Sequence, residues 1–198
     1  MEQAIGIFGG TFNPIHNAHI EVAMAAYREC NLSKVIFLPN GNPPHKAGEK
    51  IADKIHRLNM IKLAIKDYDM FEVSDYELNR TEPSYTIDTN RHFKTVYSCP
   101  VYFIIGADSL FTLSEWRNYE TLKKECFFIV ADRFYVGDYD IQKYCDEYNK
   151  SGGKVKLLKM PQYDVSSTDI RQSVERYEKI ETLIPKSVLN YIKEHNVY

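Results

Sequence analysis

Short apolar runs alternate with longer amphipathic stretches along this chain. Residues 4–8, 35–38, 101–105, 127–130 and 155–158 are apolar and rich in β-branched or aromatic side chains, as expected of strands buried on both faces. Residues 71–73 form a weaker strand candidate. Between the runs, Ile20, Ala23, Met24 and Tyr27 recur at helical spacing, and so do Ile51, Ile55, Leu58 and Ile65. Strand then helix, repeated, predicts an α/β fold with a doubly wound parallel sheet. The tail departs from this rhythm. Ile170, Val174 and Tyr177 mark one helix, Val188, Tyr191 and Ile192 mark another with Pro185 near its start, and no strand follows. The expectation is a single domain, 1–198, made of an α/β core over 1–165 and C-terminal helices over 166–198. The loops at 40–50 and 133–139 are candidates for covering a ligand.

Composition narrows the function classes. Of 198 residues, 25 are Lys or Arg and 27 Asp or Glu, a formal charge of −2, so a protein whose main business is gripping a nucleic-acid backbone is not expected. With 44% hydrophobic and 26% charged residues, the chain has the make-up of an ordinary globular protein. Cys30, Cys99, Cys126 and Cys145 lie far apart, without a CxxC pair or zinc-finger spacing, and read as free thiols in a reducing cytoplasm. No basic leader and no apolar span of membrane length is visible, so neither export nor membrane insertion is expected.

The chemistry concentrates in two strings. The first strand runs into Gly9-Gly10-Thr11-Phe12-Asn13-Pro14-Ile15-His16-Asn17-Ala18-His19. Glycine at the carboxyl end of a first strand lets a phosphate approach backbone N–H groups, yet neither GxGxxG nor a P-loop is present. Instead, His16 and His19 stand three apart, where both imidazoles could meet one phosphate at the positive end of a helix, with side chains about 5 to 6 Å apart. Alone, such a pair is as readily an incidental helix start, and a metal pair lacks an evident third ligand. The second string is Ser166-Ser167-Thr168-Asp169-Ile170-Arg171. Ser166 with Asp169 fits a capping box, and the hydroxyls with Arg171 also suit the outer phosphates of a nucleotide. Lys46 sits in a stiff Pro-Pro loop and can counter an anion. Asp108 follows a strand through Gly106, placed either to accept from ribose hydroxyls or to cap a helix.

Together these strings resemble the HxGH nucleotidyltransferases, specifically the bacterial nicotinate-mononucleotide adenylyltransferases. GGTFNPIHNAH looks like that family's N-terminal signature, PPHK at 43–46 like its substrate loop and EPSYTIDT at 82–89 like its central motif. IIGADSL at 104–110, Trp116, VADR at 130–133, SSTDIR at 166–171 and LIPKSVLNYI at 183–192 follow in the family's order, so the resemblance covers nearly the whole chain. One departure stands out: Ala18 replaces the family's usual glycine between the histidines. Alanine favours the helix, while its methyl group bears on any close backbone approach of a nucleotide.

The resemblance implies a Rossmann-like sheet and transfer of the adenylyl group of ATP to nicotinate mononucleotide, giving nicotinate adenine dinucleotide and pyrophosphate, with Mg²⁺ carried by the ATP phosphates rather than by a protein metal site. It implies catalysis by His16 and His19, and an ATP site from Gly9, Gly10, Thr11, Phe12, Gly106, Asp108, Ser166, Ser167, Thr168 and Arg171. It implies a mononucleotide site from Lys46, Thr86, Trp116 stacked on the pyridine ring, Arg117 and Arg133. Arg117 beside Trp116 is expected to favour the acid over the amide substrate. Tyr85 reads as packing, His56 and His195 as surface residues, and His45 and His92 as non-catalytic. The nearest rival is a pantetheine-phosphate adenylyltransferase, which shares the first and last motifs; a non-catalytic nucleotide-binding module and, less so, a cytidylyltransferase or an aminoacyl-tRNA synthetase core are the others. The expected partners are ATP and nicotinate mononucleotide, with no nucleic acid and no membrane; monomer and homo-oligomer both stay open.

Overall fold

The computed structural model describes residues 3–41, 51–132, 140–159, 165–175 and 180–198. Six parallel strands form one sheet in the order β3-β2-β1-β4-β5-β6. They are β1 (Ile5–Gly10), β2 (Lys34–Pro39), β3 (Phe71–Val73), β4 (Val101–Gly106), β5 (Phe127–Ala131) and β6 (Val155–Leu157). All six runs expected from the apolar pattern are strands. The chain winds outward from β1 to β3, then returns to lay β4 against the other edge of β1, with Phe8 opposite Ile104. Strand order therefore reverses between β1 and β4, and it is outside the carboxyl ends at such a reversal that doubly wound sheets take their ligands.

Alternation along the strands divides the core in two. Phe8, Val35, Phe37, Ile104 and Ile129 point to one face; there they meet α1 (Asn17–Glu29), α2 (Lys54–Ile65), α7 (Ser167–Glu175) and α8 (Lys186–His195). Ile7, Ile36, Phe103, Ile105 and Phe128 point to the other, against α3 (Thr86–Tyr97), α4 (Ala107–Phe111), α5 (Tyr119–Glu125) and α6 (Ile141–Lys150). Residues buried on both faces need apolar side chains at every position, which is why the strands read as continuous apolar runs.

One sequence expectation is corrected. In α2 the buried stripe is Arg57, Met60, Ile61, Ala64 and Ile65, whereas Ile55 is 56% exposed and Ile51 precedes the helix. An arginine on the inner face disguised the true phase. The C-terminal helices pack into the core: Ile170, Ile180, Ile184, Val188, Leu189 and Ile192 are buried with the first face of the sheet. Pro185 caps α8 rather than lying inside it, which suits a residue without an N–H to offer. The four cysteines are free thiols, and burial pushes Cys126 up to about 12 and Cys145 up to about 11. Among the described residues, no helix is long and apolar enough to cross a membrane.

Candidate active site

β1 ends on Gly9 and Gly10, and each meets a different requirement. A Cβ at Gly10 would come within 3.0 Å of the Phe12 ring, while one at Gly9 would meet nothing within 4 Å. Gly9 thus borders open space on the sheet's carboxyl edge. Phe12 adopts a left-handed backbone, φ 48°, which is costly for a bulky residue. Its ring is buried against Phe8, Phe37 and His19 and floors the site from below.

The two histidines meet, in a way that spacing did not anticipate. His16 is the N-cap of α1 in an extended conformation and His19 is the third residue of its first turn. Their ring centroids are 3.7 Å apart at 34°, so the rings face each other rather than standing side by side. The His16 backbone N–H donates to His19 Nδ1 at 3.2 Å. A ring nitrogen that accepts carries no proton, so neutral His19 bears its proton on Nε2. Both side chains are almost wholly buried at the positive end of a thirteen-residue helix. Ala18 is buried inside α1 and the helix begins without disruption, so the turn tolerates its methyl group.

The second string packs onto the first. Ser166 donates its N–H and hydroxyl to Asp169, and Asp169 N–H donates back to Ser166 Oγ, the expected capping box. The next residues turn toward the loop: Ser167 Oγ donates to the Pro14 carbonyl and Arg171 Nη1 to the Asn13 carbonyl, each at 2.9 Å, while Arg171 Nη2 donates to Thr168 Oγ1. Two donors expected to face phosphate thus also fasten the histidine loop.

On the β4 side of the strand reversal, Gly106 caps α4 and Asp108 lies exposed in its first turn. The capping alternative for Asp108 therefore falls to Gly106. Thr86 opens α3, whose first N–H groups lack intrahelical acceptors. The Arg117 guanidinium lies 4.3 Å over the Tyr85 ring, which joins the Trp116–Arg117 pair to the start of α3. Trp116 follows a 3₁₀ turn in extended conformation, half-buried and edge-on to Phe128. Lys46 and Arg133 lie outside the described residues, as do most of both candidate covering loops.

Sequence reasoning missed Arg57, Asn40, Asn13 and Tyr198. Arg57 is 2% exposed and spans the back of the site: Nε donates to Ala52 O, Nη1 to Thr11 O at 2.9 Å and Nη2 to Asn40 O at 2.9 Å. Asn40 N–H donates to Gly10 O. The available signal for Arg57 was its place in the row 57, 60, 61, 64, whose other members are apolar. His56, expected at the surface, instead pairs through Nδ1 with Tyr191 OH at 3.0 Å between α2 and α8.

The chain is similar to known proteins along nearly its whole length. The cytidylyltransferase-like family model matches residues 7–173. A Clostridium tetani protein named "Probable nicotinate-nucleotide adenylyltransferase" is 42% identical over 195 residues, covering 97% of each chain. A Thermoanaerobacter protein of the same name is 41% identical over 200 residues, covering all of this chain and 95% of the other. Among solved structures, the nicotinic acid mononucleotide adenylyltransferase of Plasmodium falciparum complexed with NaAD superposes with a TM-score of 0.82 at 22% identity, covering 99% of this chain and 97% of that one.

Proposed function

The chain belongs to the cytidylyltransferase-like family and within it to the nicotinate-nucleotide adenylyltransferases, and on that premise we propose how its own residues carry out adenylyl transfer. The enzyme transfers the adenylyl group of ATP to nicotinate mononucleotide, giving nicotinate adenine dinucleotide and pyrophosphate in NAD biosynthesis. The observation that carries this reading is the meeting of the two histidines with the first turn of α7 around one open strand end. That is a site for a polyphosphate, and the Plasmodium structures hold NaAD in one case and APC in another.

An oxygen of the mononucleotide phosphate attacks the α-phosphorus of ATP. The bond from that phosphorus to the α–β bridging oxygen breaks, and pyrophosphate leaves with the oxygen. A phosphate monoester with its second pKa about 6 is largely dianionic at neutral pH, so no general base is required. The protein's task is alignment and charge stabilisation. His19 Nε2–H, fixed by the bond at Nδ1, donates to an α-phosphate oxygen, and His16 stands beside it. Gly9 leaves room for the triphosphate, Gly10, Thr11 and Phe12 shape the turn beneath it, and Gly106 with Asp108 receives the ribose. Ser166, Ser167, Thr168 and Arg171 hold the outer phosphates together with the loop. Thr86 and the α3 amides receive the nicotinate carboxylate, with Trp116 stacking and Arg117 supplying charge; Lys46 and Arg133 complete the mononucleotide site.

Among the described residues, no group of three or more His, Cys, Asp or Glu side chains gathers as a metal cage. Two imidazoles are poor ligands for Mg²⁺, which prefers oxygen and commonly arrives on substrate phosphates. On this reading the ATP substrate is MgATP, its metal carried by the phosphates. Four unpaired thiols suit a reducing cytoplasm.

Replacing His16 or His19 by alanine tests the assignment. Each variant should lose at least about 100-fold in kcat while circular dichroism and Tm report a folded protein. Near-normal rates in both would remove the histidines from the mechanism.

A further inference from the structure

The histidine loop is held from behind by a residue that neither motif contains. After α8 the chain passes through Asn196, in left-handed conformation at φ 47°, and Val197 N–H returns to the Ile192 carbonyl. This turn brings Tyr198 back across the molecule. Its ring packs against the first core face, and its hydroxyl donates to Asn13 Oδ1 at 2.8 Å. The same oxygen accepts from Ala52 N–H at 3.0 Å, and the Asn13 backbone carbonyl accepts from Arg171. Asn13 is 2% exposed and lies three residues before His16. With two donors converging on Oδ1, its amide has one orientation.

We propose that Tyr198 is a positioning residue for adenylyl transfer, acting through Asn13 to hold the loop that presents His16 and His19. This rests on the reaction assigned above. Burial pushes the phenol's pKa up, against the pull of the Arg171 and Arg57 guanidiniums, so the hydroxyl stays a donor across the working range. Loop placement matters because a misplacement on the order of 1 Å costs about 100-fold in rate. Losing one of the two donors to Oδ1 loosens the loop only in part.

The test is Tyr198→Phe, which keeps the packed ring and removes the hydroxyl. kcat should fall about fivefold, the size expected for one lost neutral hydrogen bond, with both KM values within about twofold and Tm lower by only about 2–4 °C. Asn13→Ala combined with Tyr198→Phe should be no slower than Asn13→Ala alone, because Tyr198 acts through Asn13. A kcat within twofold of wild type, a loss confined to KM, or independent multiplying losses in the double variant would overturn the proposal. Amide hydrogen exchange across residues 11–19 reads the same loop without turnover. Faster exchange confined to that segment in Tyr198→Phe is expected, and unchanged exchange would overturn the proposal. Wild-type product formation, followed in parallel, separates this outcome from failure of the assigned reaction.

Discussion

Arg117 holds its charge in place by lying over an aromatic ring rather than by an ion pair. The Tyr85 ring beneath it is one residue from Thr86, at the positive end of α3, so a cation and a helix dipole converge where the proposed reading puts the pyridine carboxylate. Exposed charges of this kind contribute about 0.3–1 kcal/mol. Arg117→Ala should therefore narrow the preference for nicotinate over nicotinamide mononucleotide by roughly two- to fivefold. Turnover of the two substrates compared in wild type and variant checks this, and an unchanged ratio contradicts it. Glu77 makes a prediction about pH. Burial raises its pKa, although Thr89 Oγ1 donates to it at 2.8 Å and Arg80 pulls the other way. An acid whose pKa is higher folded than unfolded holds its proton more tightly when folded. Its stabilising contribution is full below the unfolded carboxylate pKa and is lost as pH rises through the folded one. Glu77→Gln, which keeps an acceptor for Thr89, should raise Tm at neutral pH by an amount that shrinks on acidification toward about pH 4. Thermal melts across that range would contradict this with a gap that is constant or of opposite sign.

Among the elements, α2 carries the lesson about what a sequence pattern conveys. Its inner face includes a guanidinium whose donors reach carbonyls of Thr11, Asn40 and Ala52, so it ties β1, β2 and the start of α2 at the site's rear. Arg57→Met removes the guanidinium from those part-buried carbonyls and should cost about 3 kcal/mol, or roughly 6–12 °C in Tm at this size. Ile55→Lys, on the exposed face, should stay within about 0.5 kcal/mol. Equal effects in the two variants would contradict the burial pattern. A periodicity reading that counts only apolar residues misses such a helix by its nature. The central strands β1, β2, β4 and β5 were legible because burial on both faces leaves little room for polar residues, whereas the edge strands β3 and β6 carry Glu72 and Lys156. The strings around His16 and Ser166 were legible because each is local, a strand end and a helix cap. What was hidden is remote: the bond from Tyr198 to Asn13 joins residues 185 apart, and no local pattern records it. The stacked geometry of the histidines was hidden too, since spacing alone does not reveal that His16 caps the helix in an extended conformation.

For the whole molecule, a net charge of −2 and a site built for two anionic nucleotides are compatible because charge is applied locally. Helix starts, two imidazoles and a few guanidiniums gather at the carboxyl edge of the sheet, where β1 and β4 part, in a chain whose 25 basic and 27 acidic residues nearly cancel. The two core faces hold that edge rigid, and the tail helices close it from behind. The central claim is that this edge joins ATP to nicotinate mononucleotide. It is tested most directly by following dinucleotide and pyrophosphate formation from MgATP with nicotinate mononucleotide, nicotinamide mononucleotide and phosphopantetheine offered separately. Rapid, stoichiometric formation of nicotinate adenine dinucleotide and pyrophosphate, with the amide slower and phosphopantetheine inert, is the predicted result. Turnover with phosphopantetheine alone, or with none of the three, would contradict it.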